Sequence, residues 1–425
     1  MIQSAIRGPL LIPRDGGRVD YFVDGVLAWD HAGVLQHAGA FAELKSIDSR
    51  LVHQSDGVLI PPLVDIHIHI PQHPIAGHFV DGVPDNAPGG KLLAGLHRNV
   101  FPAEAKCNDP AHAEAVTQRF LQDTLSHGVV GGCAYMTTSP AASDAALSIL
   151  PDFWSVGLVL MNQDTPEYLV TDEVTVEVDM AALARKFGQR YVATDRFAIA
   201  VTTPLRQLAS KIASAFGLRT QTHLNEQVGE KDRIERVLYP NYASYTDVYH
   251  RDGLLDHSCI LAHCIHMRPD EWSTVRDTGS VIAHCPTSNL LLGSGVMQLD
   301  EVKRHGIPYA IATDVGASPT VSMLAEMRRF LEVHRGRSSH ATPSEALYRA
   351  TRAPANLLGI NAGTLEVGRP ASFIEIEAPV PVPNASADDV IRSLLPANID
   401  QPAHTVRRVT LAGQTAYDRE VSTRA

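Results

Sequence analysis

Two histidines spaced two apart, His67 and His69 in LVDIHIH, fall on one face of the chain if that run is a β-strand. Side by side, two imidazoles can grip one metal ion, and histidine is the commonest protein ligand for such ions. The pair alone says little, because neighbouring histidines are also common in cores and on surfaces. Its weight comes from residues of the same kind elsewhere. His223 is followed three residues later by Glu226 in THLNE, His263 stands in LAHCIH, His284 in AHCPTSN and Asp314 in ATDVGAS. A carboxylate that ends an apolar run is costly to bury unless something positive compensates it. Imidazoles, one carboxylate and an open position for water describe a catalytic metal site rather than a closed structural one. Glu226, just beyond a candidate ligand, is spaced to carry protons to and from a water there.

The elements that would hold these residues repeat along the middle of the chain. Short apolar runs lie at Leu63–His69, Val129–Tyr135, Val156–Met161, Tyr191–Phe197, Arg219–His223, Cys259–His263, Ser280–His284 and Tyr309–Asp314. Helix-like stretches separate them, among them Ala111–His127, Met180–Gly188, Leu205–Phe216, Asp270–Thr278 and Ser322–His334. Alternation of this kind predicts an α/β fold, a (β/α)8 TIM-like barrel over residues 61–365. The register supports it. His69, His223, His263, His284 and Asp314 all end their strands, and the C-terminal face of such a barrel carries the active site. Residues 1–60 and 366–425 hold strand-like pieces such as Val19–Val23, Val58–Ile60, Ala371–Glu377 and His404–Leu411. They predict a small β-sandwich domain formed from both termini. A Gly- and Pro-rich loop from Pro71 to Leu92 follows the first barrel strand, where a lid or specificity element would sit.

Composition narrows the function classes. A chain of 425 residues, 44% apolar and 20% charged, is a folded protein too long for one ordinary core. Its formal charge of −11 and lack of a Lys/Arg cluster argue against nucleic acid as a partner. No run approaches the roughly 18 to 20 apolar residues that span a bilayer, so no membrane partner is expected. The five cysteines are odd in number and are not spaced as a disulfide framework, which points to a cytoplasmic protein.

Longer stretches carry a resemblance. LVDIHIHIPQ at 63–72, FPAE at 101–104, DRF at 195–197 and QTHLNE at 221–226 are joined by VLYPNYASYTDVYHRDGLL at 237–255. LAHCIH at 261–266, IAHCPTSNLLLGSG at 282–295 and ATDVGASPTVSML at 312–324 complete the set. In these the chain resembles the amidohydrolase superfamily and, within it, the guanine deaminase branch. The resemblance implies one zinc ion, with iron also suited to the donors, on His67, His69, His223 and Asp314. It implies that Glu226 is the proton shuttle, that His263 holds the attacking water and that Asp314 accepts the water's proton. Gln72 and Arg196 would hydrogen-bond a purine and Phe197 would pack on it, with His284 behind the ligands. A homodimer acting on a small aminated heterocycle, guanine to xanthine, follows from the same likeness.

Three positions depart from that branch. Asp195 stands where Pro is usual, Leu158 where Lys is frequent and Gly95 where Trp is frequent, and the loop before Gly95 is longer. The altered loop leaves related rings open as substrates: 8-oxoguanine, a pterin such as isoxanthopterin, or an aminotriazine. A binuclear hydrolase would need a bridging Lys, and neither Val156–Met161 nor Tyr191–Phe197 has one. A catalytically dead scaffold would have lost ligands, and this chain keeps them.

Overall fold

The computed structural model describes residues 1–87, 90–378 and 384–422. Five strands come first: β1 (Ile2–Pro13), β2 (Val19–Asp30), β3 (Leu35–Ala40), β4 (Val52–Gln54) and β5 (Val58–Ile60). Next are β6 (Leu63–His69), β7 (Val129–Tyr135), β8 (Trp154–Leu160) and β9 (Tyr191–Asp195). They are followed by β10 (Thr220–Leu224), β11 (Cys259–His263), β12 (Val281–His284) and β13 (Tyr309–Ile311). The last three are β14 (Phe373–Ile376), β15 (Val406–Leu411) and β16 (Gln414–Asp418). Contacts divide the chain into two compact units, Met1–Asp65 with Gln122–Gly131 and Val321–Ala425, and Ile66–Leu121 with Gly132–Thr320.

In the first unit the two ends of the chain share one eight-stranded sheet, ordered β16-β15-β14-β5-β1-β2-β3, with β4 paired to β1. Pairing of β5 with β14 makes that join. Leu10, Leu27, Leu59 and Phe373 bury one cluster, and Ala5, Val26 and Ala28 a second beneath Phe41 and Val52. A β domain is thus formed from both termini, as one eight-stranded sheet.

The other sheet runs β13-β12-β11-β10-β9-β8-β7-β6, in chain order. Its paired strands are parallel, and every residue of β6, β7, β8 and β11 is buried. Strands covered on both faces need apolar side chains on both, which is why they read as continuous apolar runs. The cylinder closes where β6 meets the segment after β13: His69 N–H donates to the Val315 carbonyl at 2.8 Å, and Asp314 N–H to that of His67 at 3.0 Å. The fold is a (β/α)8 TIM-like barrel. Helices Pro110–Ser126, Val176–Phe187, Thr203–Phe216, Pro269–Thr278 and Met323–Val333 match the five expected segments. Pro140–Ile149 and Tyr245–Arg251 are helical as well, entered through the side chains of Ser139 and Ser244, which accept from the backbone amides of Ala142 and Asp247, three residues on.

One buried ion network ties the barrel's elements together. Arg206, on the helix Thr203–Phe216, is fully buried. Its Nε donates to Asp195 Oδ2 at 2.8 Å, Nη1 to Asp252 Oδ2 at 2.5 Å and Nη2 to the Val201 carbonyl at 2.6 Å. Thr222 Oγ1 donates to the other Asp195 oxygen at 3.0 Å. Removing one partner of such a set strands charge in a medium that solvates it poorly. Arg206→Ala is therefore expected to destabilise the fold by about 3–5 kcal/mol. Urea unfolding monitored by tryptophan fluorescence measures this, and a loss under about 1 kcal/mol would show the network to be dispensable.

Candidate active site

The residues picked out by spacing converge at the C-terminal ends of the barrel strands. One ligand atom from each of His67, His69, His223 and Asp314 lies within 4.8 Å of every other. Nε2 of His67 and Nε2 of His69 each stand 3.2 Å from Asp314 Oδ1. Ligands about 2.0–2.1 Å from a tetrahedral ion lie about 3.3 Å apart, so this spacing suits a shared ion. His223 Nδ1 donates to the Arg196 carbonyl at 2.6 Å, which leaves the Nε2 lone pair available for coordination.

Protonation suits a cation too. Burial pushes His69 down to about 3 and, with the neighbouring rings of His67, His69 and His263, holds His223 well below the usual histidine range. Burial alone would raise the Asp314 carboxyl, but the His67 and His69 rings against it keep it well below the usual carboxylate range. His69 and His223 are thus neutral donors beside one anion, a complement to a divalent ion of zinc type. Ser288 Oγ donates to Asp314 Oδ2 at 2.6 Å, fixing the carboxylate's orientation.

Glu226 lies beside this cluster, 2% exposed. Burial raises its carboxyl to about 8, and the negative charge of Asp314 adds to the effect. Ser294 Oγ donates to its Oε1 at 3.1 Å, and the Ser294 carbonyl accepts from His266 Nε2 at 2.9 Å. Glu230 secures the backbone: its Oε2 accepts the amides of Glu226 and Gln227 at 3.0 and 3.1 Å, and its Oε1 the Tyr245 hydroxyl at 2.9 Å. His263 Nδ1 meets Asn289 Oδ1 at 2.8 Å. With that nitrogen donating, Nε2 faces Glu226 Oε2 at 3.6 Å and Asp314 Oδ2 at 3.9 Å.

Backbone geometry marks the same strand ends. Asn225, His263, Cys264 and Asp314 have φ of 51°, 74°, 49° and 54°. A non-glycine residue pays about 1–3 kcal/mol to stay there. The turn lets His263 and Asp314 leave their strands and face the cluster.

Gln72, Arg196 and Phe197 line one cavity with His69, His223, Glu226 and Asp314, under a cap of Phe79, Leu92, Leu96 and Leu292. Its volume is about 30 Å³, room for one or two waters. A wider cavity of about 680 Å³ adjoins it and shares Leu96 and Phe197. Glu104, fully buried, joins two of these polar residues. Its Oε1 accepts from Gln72 Nε2 at 2.9 Å and from Arg196 Nη1 at 2.7 Å. The peptide N–H of Gly316 approaches Gln72 Oε1 at 3.3 Å, so each end of that amide has one partner and keeps one further N–H or lone pair.

Other expectations meet different surroundings. His284 is buried at the end of β12 but outside the four-donor group. His78 pairs with Asp81 at 2.7 Å on the surface, and neither it nor His73 lines the cavity. Asp195, the departure before Arg196, is taken up by the Arg206 network. The loop of residues 71–92 begins within a helical turn, Ile70–Ile75, and Gly90–Gly95 is already helix; Pro88 and Gly89 lie outside the described residues. Glu104, Glu230, Ser288, Asn289 and Ser294 escape the residue-by-residue reading, although FPAE, HCPTSN and GSG contain four of them.

Against known proteins, the amidohydrolase family pattern matches residues 58–415. Guanine deaminase of Escherichia coli strain K12 is 32% identical over 332 residues, covering 75% of this chain and 73% of that protein. A solved structure of E. coli guanine deaminase matches with a TM-score of 0.86 at 26% identity, covering 98% of this chain and 99% of that one. Guanine deaminase from C. acetobutylicum, solved with guanine in its active site, matches with a TM-score of 0.85 at 20% identity over 97% and 100% of the two chains, a likeness of fold.

If the four donors share an ion, Asp314→Asn removes the only anion among them. After identical zinc loading and desalting, the natural protein is expected to retain about one ion per chain and the variant far less. Plasma mass spectrometry reads the content, and equal content in both would remove Asp314 from the ligand set.

Proposed function

The chain belongs to the amidohydrolase family, and from that premise we propose that it hydrolyses guanine to xanthine and ammonia. The observation that carries the reading is Glu226: a buried carboxyl raised to about 8, on the same cavity as the four-donor cluster and the Gln72–Arg196–Phe197 group. A group with that affinity keeps its proton at neutral pH and can still give it up, as a general acid must. His67, His69, His223 and Asp314 would hold one zinc ion. When bound, the ion supplies Lewis acidity that makes water nucleophilic near neutral pH.

The residues then divide the work. Arg196 and Gln72 hydrogen-bond the edge of the purine while Phe197 packs on the ring, and Glu104 keeps the two polar groups in register. His263 holds the water for attack on the carbon that bears the amino group. Asp314 takes the proton released as the C–O bond forms. Glu226 protonates the adjacent ring nitrogen, so the ring accepts the electron pair. The proton taken by Asp314 passes to the amino nitrogen, the C–N bond breaks and ammonia leaves; the new hydroxyl gives its proton to Glu226 as the carbonyl forms and the ring recovers its conjugation. On this reading the chain acts as a cytoplasmic homodimer. None of its five cysteines forms a disulfide, which suits a reducing compartment.

An ammonia-release screen of the zinc-loaded protein on guanine, 8-oxoguanine, isoxanthopterin, adenine, cytosine and an aminotriazine tests the substrate. Guanine is expected to give the highest kcat/KM, and a better ring would replace it in the proposal. Glu226→Gln is expected to lower kcat by about 10²–10⁴ while ion content stays unchanged. A variant retaining its rate to within about tenfold would end the shuttle assignment.

A further inference from the structure

Phe79 contributes to the cavity from an unexpected part of the chain. It sits in a turn of the loop that follows β6, is 5% exposed and lines the cavity with Phe197, Arg196 and Glu226. Its place depends on Gly95. A Cβ built on Gly95 would stand 2.7 Å from both Cδ1 and Cε1 of the Phe79 ring and 2.8 Å from its carbonyl oxygen. Gly95 has helical backbone angles (φ −65°, ψ −42°), so what glycine supplies here is space, not freedom at positive φ. Glycine inside a helix costs about 1 kcal/mol relative to alanine. Seating the aromatic ring offsets that loss.

Hydrogen bonds bind the turn to the same helical segment. Asn99 Nδ2 donates to the carbonyls of Phe79 and Asp81 at 2.9 and 3.1 Å, and Arg98 Nε donates to that of Asp81 at 3.2 Å. Phe79 is thus held from two sides over a cavity whose other wall carries the polar groups. With room for one or two waters, that cavity admits a two-ring heterocycle only if the cap gives way. Hydrogen-bonding groups can read the edge of a planar ring but not its faces, which are matched by aromatic surface.

We propose that Phe79 is a specificity-determining residue that packs on the face of the substrate ring, and that Gly95 sets how far it reaches into the cavity. The inference rests on the deaminase reading above, and it adds a second aromatic contact supplied by the loop. Stacking of a base on an aromatic side chain is worth about 1–3 kcal/mol, a factor of about 5–150 in affinity.

Steady-state kinetics of Phe79→Ala, Gly95→Ala and the double variant test it, on whichever ring of the ammonia-release screen the natural protein turns over best. Phe79→Ala is expected to raise KM about tenfold with a smaller change in kcat. Gly95→Ala should raise KM severalfold, because its methyl group displaces the ring. The double variant should be no worse than Phe79→Ala alone, since Gly95 acts through Phe79. If thermal melting shows Phe79→Ala unfolded, Phe79→Leu and Gly95→Ala carry the test, each expected to raise KM. An unchanged or lowered KM would make Phe79 a passive plug, and additive effects in the cycle would sever Gly95 from it; either overturns the inference while leaving the deaminase reading intact. A natural protein that releases ammonia from no ring in the panel overturns both.

Discussion

Asp314 touches its neighbours twice. Its backbone amide donates to the carbonyl of His67, and its carboxylate stands 3.2 Å from the rings of His67 and His69. The first contact helps close the cylinder between β6 and the segment after β13, while the second assembles the donor set. Barrel closure and ligand geometry are therefore not independent. Strands that failed to close would leave a carboxylate and imidazoles apart, each with its own desolvation cost. Closed, the barrel gives the carboxylate its partners and gives the ring of His69 a low-dielectric setting that disfavours its charged form.

Around that contact lies a layer of groups whose work is to hold others. Glu230 holds the Glu226 backbone, Ser294 its carboxyl, Ser288 the carboxylate of Asp314, and Asn289 the ring of His263. Tyr249 donates to the carbonyl of His223. Each pairing removes a rotamer or tautomer that would disperse the geometry. The Arg206 network joins the end of β9 to β10 through Asp195 and Thr222.

Much of this was legible in the chain, for physical reasons. Parallel strands covered on both faces need unbroken apolar runs, so a histidine or aspartate at the end of one stands out. Spacing brought His67 and His69 to one face; resemblance, not spacing, supplied the roles of Gln72, Arg196 and Phe197. The supporting groups left no such mark. Glu230 and Asn289 lie in first turns of short helices, where polar residues are ordinary caps. Glu104 reaches partners 32 and 92 residues away, a meeting that only the fold arranges. Phe79 lies alone in a loop rich in Gly and Pro, and its seat is marked by a missing side chain.

The left-handed backbones of His263 and Asp314 have a cost that falls on the whole molecule. Glycine would relieve the conformational penalty at either position and erase the imidazole or carboxylate that the turn exists to present. These are sites where thermodynamic robustness and turnover pull in opposite directions. A search for hardier variants of this enzyme would do best to leave these strand ends alone and seek its gains in the sheet built from the two chain ends.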